Sequence, residues 1–167
     1  MIFLFVEAHL PRTGFIWTVL RFPTSTILLH KVQAVGLLVC CNIPAVAQYN
    51  VVFVTSTTHT GNLAGLAGAD TICQNRAAAA SLSGTFKAWL SNSTTSALSR
   101  LGSARGFARR DGQPLADTLA SLTTDRALLN AINRDENNAL VDATQTWTGT
   151  AVDGTYSGVG DCGNWTS

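Results

Sequence analysis

The sequence predicts an α+β domain with one main helix packed on a small sheet, and three stretches predict it. From Ala69 the apolar residues Ile72, Cys73, Ala77 and Ala80 recur at helical spacing, so one stripe of a single helix faces a core. Directly after it, Phe86, Ala88 and Leu90 alternate with Thr85, Lys87 and Trp89, the two-residue period of a strand lying on that helix. Upstream, Asn50 to Thr55 reads NVVFVT, an apolar β-branched run of strand length.

Bulk composition bounds the rest. A chain of 167 residues with 46% hydrophobic content builds one domain with a real core, and hardly two. A net charge of +1 argues against nucleic acid as an obligatory partner, because such domains carry a concentrated basic face. Only 13% of residues are charged, while Thr, Ser, Asn, Gly and Ala abound, a profile that suits a secreted or surface protein.

Taken in order, residues 1–30 hold apolar patches, but Glu7, His9, Pro11, Arg12 and Arg21 interrupt any run long enough for a stable membrane span. Lys31, the apolar stretch Ala34 to Cys41 and the small-x-small Ala45-Val46-Ala47 then read as a secretory signal peptide ending at Ala47. This makes 1–47 a leader and 48–167 the domain. A signal peptide rarely carries so much chain ahead of its positive flank, so residues 1–30 read as an upstream extension with the true start nearer Lys31. An uncleaved anchor or a genuinely long leader is the competing reading. Cys40 and Cys41 do not read as a lipid-attachment site, since Val39 stands where a small residue is needed.

Within the domain, Thr55 to His59 form a polar loop. Asp70 favours the first turn of the main helix, and Gly84 sits where its exit needs a left-handed residue. Ser93 to Leu101 place Ala97, Leu98 and Leu101 at helical spacing behind a Ser/Thr start. Gly102 to Pro114 interleave Gly102, Gly106 and Gly112 with Arg105, Arg109 and Arg110 and read as a mobile basic loop. Leu115, Leu119 and Leu122 share a helical face, whereas Leu128 to Ile132 fit helix or strand equally. Thr146 to Gly149 read as a short strand and Asp153-Gly154 as a turn.

Two segments also carry a resemblance. GNLAGLAGAD from Gly61, Cys73 and then LSGTFKAWLS resemble the first characteristic segment of endostatin, and QTWTGTAVDGT followed by DCGNWTS resembles a later one. Weaker similarity runs through LADTLASL and LLNAINRDENN. The whole span, Tyr49 to Ser167, is most similar to bacterial endostatin-like domains of unknown function. The resemblance implies a C-type-lectin-like α+β fold with a small antiparallel sheet. It favours strand for Leu128 to Ile132, with Asp135 to Asn138 as its turn. It also implies four half-cystines in a nested arrangement, first with last and second with third. Cys73 matches the first and Cys162 the second; the other two would fall downstream of Ser167. By resemblance the fold is therefore incomplete at the C-terminus, a truncated domain in which Cys73 and Cys162 lack their disulfide partners. Pairing of these two cysteines with each other is the competing possibility.

Chemistry-bearing residues are few. His59 is the single histidine of the mature region and lies in a polar loop, which reads as solvated rather than catalytic. The histidine-rich N-terminus that holds zinc in endostatin has no counterpart here, so no metal is carried over. Asp135, Glu136, Asn137 and Asn138, with Asp153 and Asp161, are oxygen-rich, but the sugar-binding calcium signatures of lectins are missing and solvated turns explain these residues better. Arg105, Arg109 and Arg110 form the candidate polyanion-binding loop, able to dock a sulfated glycan or an acidic protein surface. The sequons at Asn92 and Asn164 read as coincidence in a bacterial setting.

The expectation is thus an exported, probably bacterial, non-catalytic binding module, secreted or at the cell surface, without catalytic residues or cofactors, for an extracellular protein or a glycan. A non-functional fragment of a larger exported protein is the alternative, and an enzyme a distant third.

Overall fold

Five short strands form one sheet in the order β3-β1-β2-β4-β5, where β1 is Phe3–Glu7, β2 Asn50–Val54, β3 Thr85–Ala88, β4 Phe107–Arg109 and β5 Pro114–Ala116. The computed structural model describes residues 3–7, 49–124, 127–142 and 146–167. The signal, cleavage site and upstream cysteines expected over residues 1–47 lie outside the described residues, apart from Phe3–Glu7. β1 runs antiparallel to both β2 and β3, β2 is parallel to β4, and β4 returns antiparallel as β5. The sheet is therefore mixed rather than antiparallel throughout.

β2 explains why its sequence is a continuous apolar run instead of an alternation. Phe53 packs into a cluster with Ala69, Cys73 and Ala77, while Val52 joins a second cluster with Leu101, Phe107 and Leu115. Both faces of the strand are buried, so neither can be polar.

The main helix, α1 (Gly65–Ala79), buries Ala69, Cys73 and Ala77; of the expected stripe Ile72, Cys73, Ala77 and Ala80, only Cys73 and Ala77 are buried in it, while Ile72 is half-buried and Ala80 is the C-cap. It begins a turn earlier than Ala69, so Asp70 does not cap its first turn. Asp70 instead accepts the Ala88 N–H at 2.8 Å and receives both terminal contacts of Arg100 Nη2, at 2.5 and 2.6 Å. The exit differs as well. Ser81, with φ 57°, takes the left-handed position, and the Leu82 N–H bonds back to Ala77 at 2.9 Å in a Schellman arrangement. Gly84 lies further on, and its carbonyl accepts from Gln74.

Phe86 and Ala88 of β3 and Leu90 just after it are buried as the alternation predicts, and further on Ser96 caps the short helix α2 (Ala97–Arg100) by accepting the Ser99 N–H. The stretch read as a mobile loop is instead mostly the β4–β5 hairpin. Arg109 and Gln113 pair across its turn at 2.8 Å, and Phe107, Ala108, Leu115 and Ala116 are buried. Leu115 is thus a strand residue, and helix α3 (Leu119–Thr123) starts only after Thr118, whose hydroxyl caps it. Leu128 to Ile132 form no strand; they run as loop, tied by the Leu129 N–H to Leu115. The turn at Asp135 to Asn138 is present, closed by the Asn138 N–H on Asp135 at 3.0 Å. Thr146 to Gly149 is likewise not a strand, although the turn at Asp153-Gly154 forms between Ala151 and Thr155.

The last element, α4 (Cys162–Trp165), is a single turn of the opposite hand. Its four residues have φ of 45°, 61°, 58° and 66°. Left-handed turns of this kind cost about 1–2 kcal/mol per non-glycine residue and persist only where packing enforces them. No helix among the described residues is long and apolar enough to cross a membrane.

Candidate functional site

The two segments that stand out in the sequence meet in space, and their contacts are structural. Trp165 is buried and donates its indole N–H to the Ser91 carbonyl at 2.8 Å, while its own carbonyl accepts the Leu63 N–H at 2.9 Å. Asn164 accepts from the Ser93 N–H and hydroxyl, at 3.0 and 2.9 Å. Gly61 lies so close to the turn that a Cβ there would stand 2.3 Å from Cys162 Sγ. These contacts are what enforce the left-handed turn. The glycines, the tryptophan and the asparagine of the two segments serve the fold.

The cysteines follow the same pattern. Cys73 and Cys162 are free thiols, so the competing pairing of one with the other is not formed. Burial, reinforced by the Asp70 carboxylate, pushes the Cys73 thiol well above its ordinary value. A thiol so held is a small core side chain and not a thiolate nucleophile or ligand.

Charged groups are paired inward. Glu136 is 1% exposed and accepts from the Ser56 N–H at 2.9 Å, the Ser56 hydroxyl at 2.6 Å and Arg76 Nε at 2.8 Å. Burial works to raise this carboxyl, but the bonds from Ser56 and Arg76 prevail and hold it below its ordinary value. His59 sits nearby, hydrogen-bonded to Thr57, and burial with the Arg76 charge lowers its affinity for a proton.

The three arginines of the candidate polyanion loop do not point into one binding patch. Arg105 is exposed and paired with Asp117 at 2.5 Å. Arg109, on β4, makes a two-pronged contact with Asp111, at 3.0 and 2.6 Å, and reaches Asn133 at 2.8 Å. Arg110 donates from Nε to the Glu136 carbonyl at 3.1 Å, and among the described residues no carboxylate pairs with it. The oxygen-rich turns are also occupied locally: Asp135 accepts the Asn137 and Ala139 N–H groups, Asp153 is bonded by Thr155, and Asp161 by Tyr156. No group of three or more His, Cys, Asp or Glu side chains converges among the described residues.

What remains open is apolar. A cleft of about 180 Å³ is lined by Trp89, Leu122, Thr123, Leu128, Ile132, Ala151 and Val152. Trp89, just past the end of β3, packs against the second core cluster, whereas Ala88 and Leu90 on either side of it belong to the cluster with α1. The Ala151–Thr155 turn is brought to the cleft by Gly154, whose carbonyl accepts the Leu98 N–H at 3.1 Å. A Cβ at Gly154, where φ is +83°, would lie 2.9 Å from Leu98 Cβ and 3.0 Å from Thr123 Cγ2, so only glycine allows this approach. Leu128 and Val152 stand exposed at the rim, by 43% and 69%. The neighbouring Leu129 lines a second, larger and more open apolar depression of about 350 Å³ with Tyr49, Phe107 and Pro114. Reading the sequence for reactive groups misses this site. Its signals are a tryptophan directly after β3, in the polar phase of the alternation, and the isolated Val152 in a polar turn.

Residues 56–167 match the sequence model of a family described as "Protein of unknown function (DUF1554)". No curated protein matches the chain.

Proposed function

The chain belongs to the DUF1554 family of proteins of unknown function, and from that premise we propose that it is a non-catalytic binding module that takes one apolar side chain of a partner protein into the cleft beside Trp89. The observation that carries this reading is the cleft itself. Its volume of about 180 Å³ is of the size that holds one benzene-sized group. Buried aromatic or aliphatic anchors in such pockets supply most of the energy of protein recognition. The exposed Leu128, Leu129 and Val152 extend the apolar surface around it. Three groups of a type suited to acid–base or nucleophilic work are engaged elsewhere, Glu136 by Arg76, Asp70 by Arg100 and Cys73 by the core.

We read the domain as working outside the cytoplasm, secreted or at the cell surface. The charge-poor, Thr/Ser/Asn-rich composition and the signal-like stretch ending at Ala47 support this. We read its architecture as C-type-lectin-like and endostatin-like; the meeting of the two resembling segments around Trp165 supports that assignment. A sulfated glycan is the second reading, favoured by one observation, the Arg110 guanidinium that has no carboxylate partner among the described residues.

The test is a binding panel of immobilised extracellular-matrix proteins and heparin against the full chain, Val152→Asp and Arg110→Ala. A saturable protein ligand lost in Val152→Asp and retained in Arg110→Ala supports the cleft. Binding to heparin alone, lost only in Arg110→Ala, replaces it with the glycan reading.

A further inference from the structure

We propose that the gap between β2 and β3 is a strand-acceptor site, which holds Phe3–Glu7 reversibly and takes an extended apolar segment of a partner protein when that strand is out. β2 and β3 do not pair with each other; β1 lies between them, antiparallel to both. The walls of this gap are supported from elsewhere. On β3, the Phe86 N–H is accepted by Gln74 Oε1 at 2.9 Å and the Ala88 N–H by Asp70 Oδ1 at 2.8 Å, while Arg100 donates to the Ala88 carbonyl at 2.7 Å. Side chains of α1 and α2 therefore seal the outer edge of β3 in place of another strand. Backbone groups alternate between the two edges of a strand, so those of Thr85 and Lys87 face the gap. These are the residues in register with Glu7 and Phe5.

The opposite wall is built the same way. β2 is parallel to β4, the Asn50 N–H bonds to Gly106 at 2.6 Å, and the Val54 N–H bonds to Arg134 at 2.8 Å. That edge uses Asn50, Val52 and Val54, which leaves the backbone of Val51 and Phe53 for the gap. Beneath it the Phe53 and Phe86 rings meet, with centroids 5.7 Å apart and planes tilted by 47°. Two rows of backbone donors and acceptors over an apolar floor are what an added strand requires.

The occupant is specified by what the gap now holds. β1 reads FLFVE, extended and apolar up to its last residue. It pairs with β2 at two register positions, Phe3 with Val54 and Leu4 with Phe53, and with β3 at four, and residues 8–49 separate β1 from β2 in sequence. A strand tethered through so long a connection gains little effective concentration from its tether, so an equivalent strand on another molecule competes for the same place. Processing after Ala47, the cut expected from the sequence, removes β1 and leaves both rows to a partner strand. This inference does not depend on the cleft beside Trp89, and its failure leaves that reading untouched.

The experiment uses the full chain with a protease site placed between residues 10 and 48, and a fluorescent peptide carrying residues 1–10. After cutting, the labelled peptide binds saturably and displaces the severed strand, and the same peptide with Phe5→Pro binds about 100-fold more weakly. Equal binding of both peptides, or binding of neither by a cut chain that keeps its folded spectrum, overturns the proposal. Hydrogen exchange on the uncut chain decides the matter if cutting unfolds the protein. The gap-facing amides of Val51, Phe53, Thr85 and Lys87 then exchange about tenfold faster or more than those of Val52, Phe86 and Ala88. Equal rates for the two sets overturn it.

Discussion

Trp165 and Ser91 are 74 positions apart in sequence and are joined by a buried hydrogen bond of 2.8 Å from the indole N–H to the backbone carbonyl. This bond, with the Leu63 N–H on the Trp165 carbonyl, ties the last turn of the chain to both ends of the helix-and-strand unit. Trp165→Phe keeps most of the apolar burial but leaves the Ser91 carbonyl without its donor, and is expected to cost about 1–3 kcal/mol. Trp165→Ala adds a cavity and is expected to cost about 3–5 kcal/mol. Urea unfolding of the two variants measures both steps; equal costs would mean that the hydrogen bond contributes nothing.

Gly61 and Cys162 are in such close approach that a methyl group cannot be added. Gly61→Ala is expected to destabilise by about 1–3 kcal/mol. Adding Cys162→Gly removes the Sγ and Cβ that the new methyl would meet and relaxes a non-glycine φ of 45°. The double variant is therefore expected to recover most of the loss, measured as a coupling energy in a double-mutant cycle.

Glu136 makes stability depend on acid pH. Its ordinary value is 4.5, and its folded value is lower because Ser56 and Arg76 stabilise the carboxylate more than burial destabilises it. The unfolded chain thus takes up the proton first. The contribution is fully present above pH 4.5 and is lost as the pH falls through the lower folded value. Thermal unfolding from pH 7 down to pH 3 should show an acid limb that Glu136→Gln flattens. Arg76→Met leaves the carboxylate buried without its cation, and is expected to cost roughly 2–4 kcal/mol at neutral pH, more than Glu136→Gln does.

Ser81 holds the left-handed C′ position of α1 at φ 57°. Ser81→Gly is expected to stabilise by up to about 1 kcal/mol, because glycine adopts this conformation without the Cβ penalty. A shift of the urea midpoint upward with unchanged slope is the expected reading.

How much of this was legible in the sequence depended on whether a segment's period matched one buried face. Phe86, Ala88 and Leu90, and Cys73 and Ala77 of the helical stripe, have that property and read correctly, whereas Ile72 and Ala80 of the same stripe are only half-buried. The β4–β5 hairpin does not, because three-residue strands between glycines and arginines carry too short a pattern, and Leu115 shares a helical phase with Leu119 by accident. β1 escaped notice because Phe3–Glu7 lies in a stretch that reads as leader, far in sequence from the strands it joins. The Cys-x-x-Trp segment was visible as a motif, but its left-handed turn was not; only the contacts of Gly61, Leu63, Ser91 and Ser93 make that turn intelligible. The apolar cleft was hidden for a different reason, since its lining comes from four separate segments and none of its residues carries reactive chemistry.

The central claim is that the surface beside Trp89 is the binding site, and an amide-resolved NMR titration of the full chain with indole tests it most directly. The account predicts saturable shifts gathered at Trp89, Thr123, Ile132 and Val152, abolished in Val152→Asp. Shifts spread evenly over the surface without saturation, or left unchanged by Val152→Asp, would contradict it.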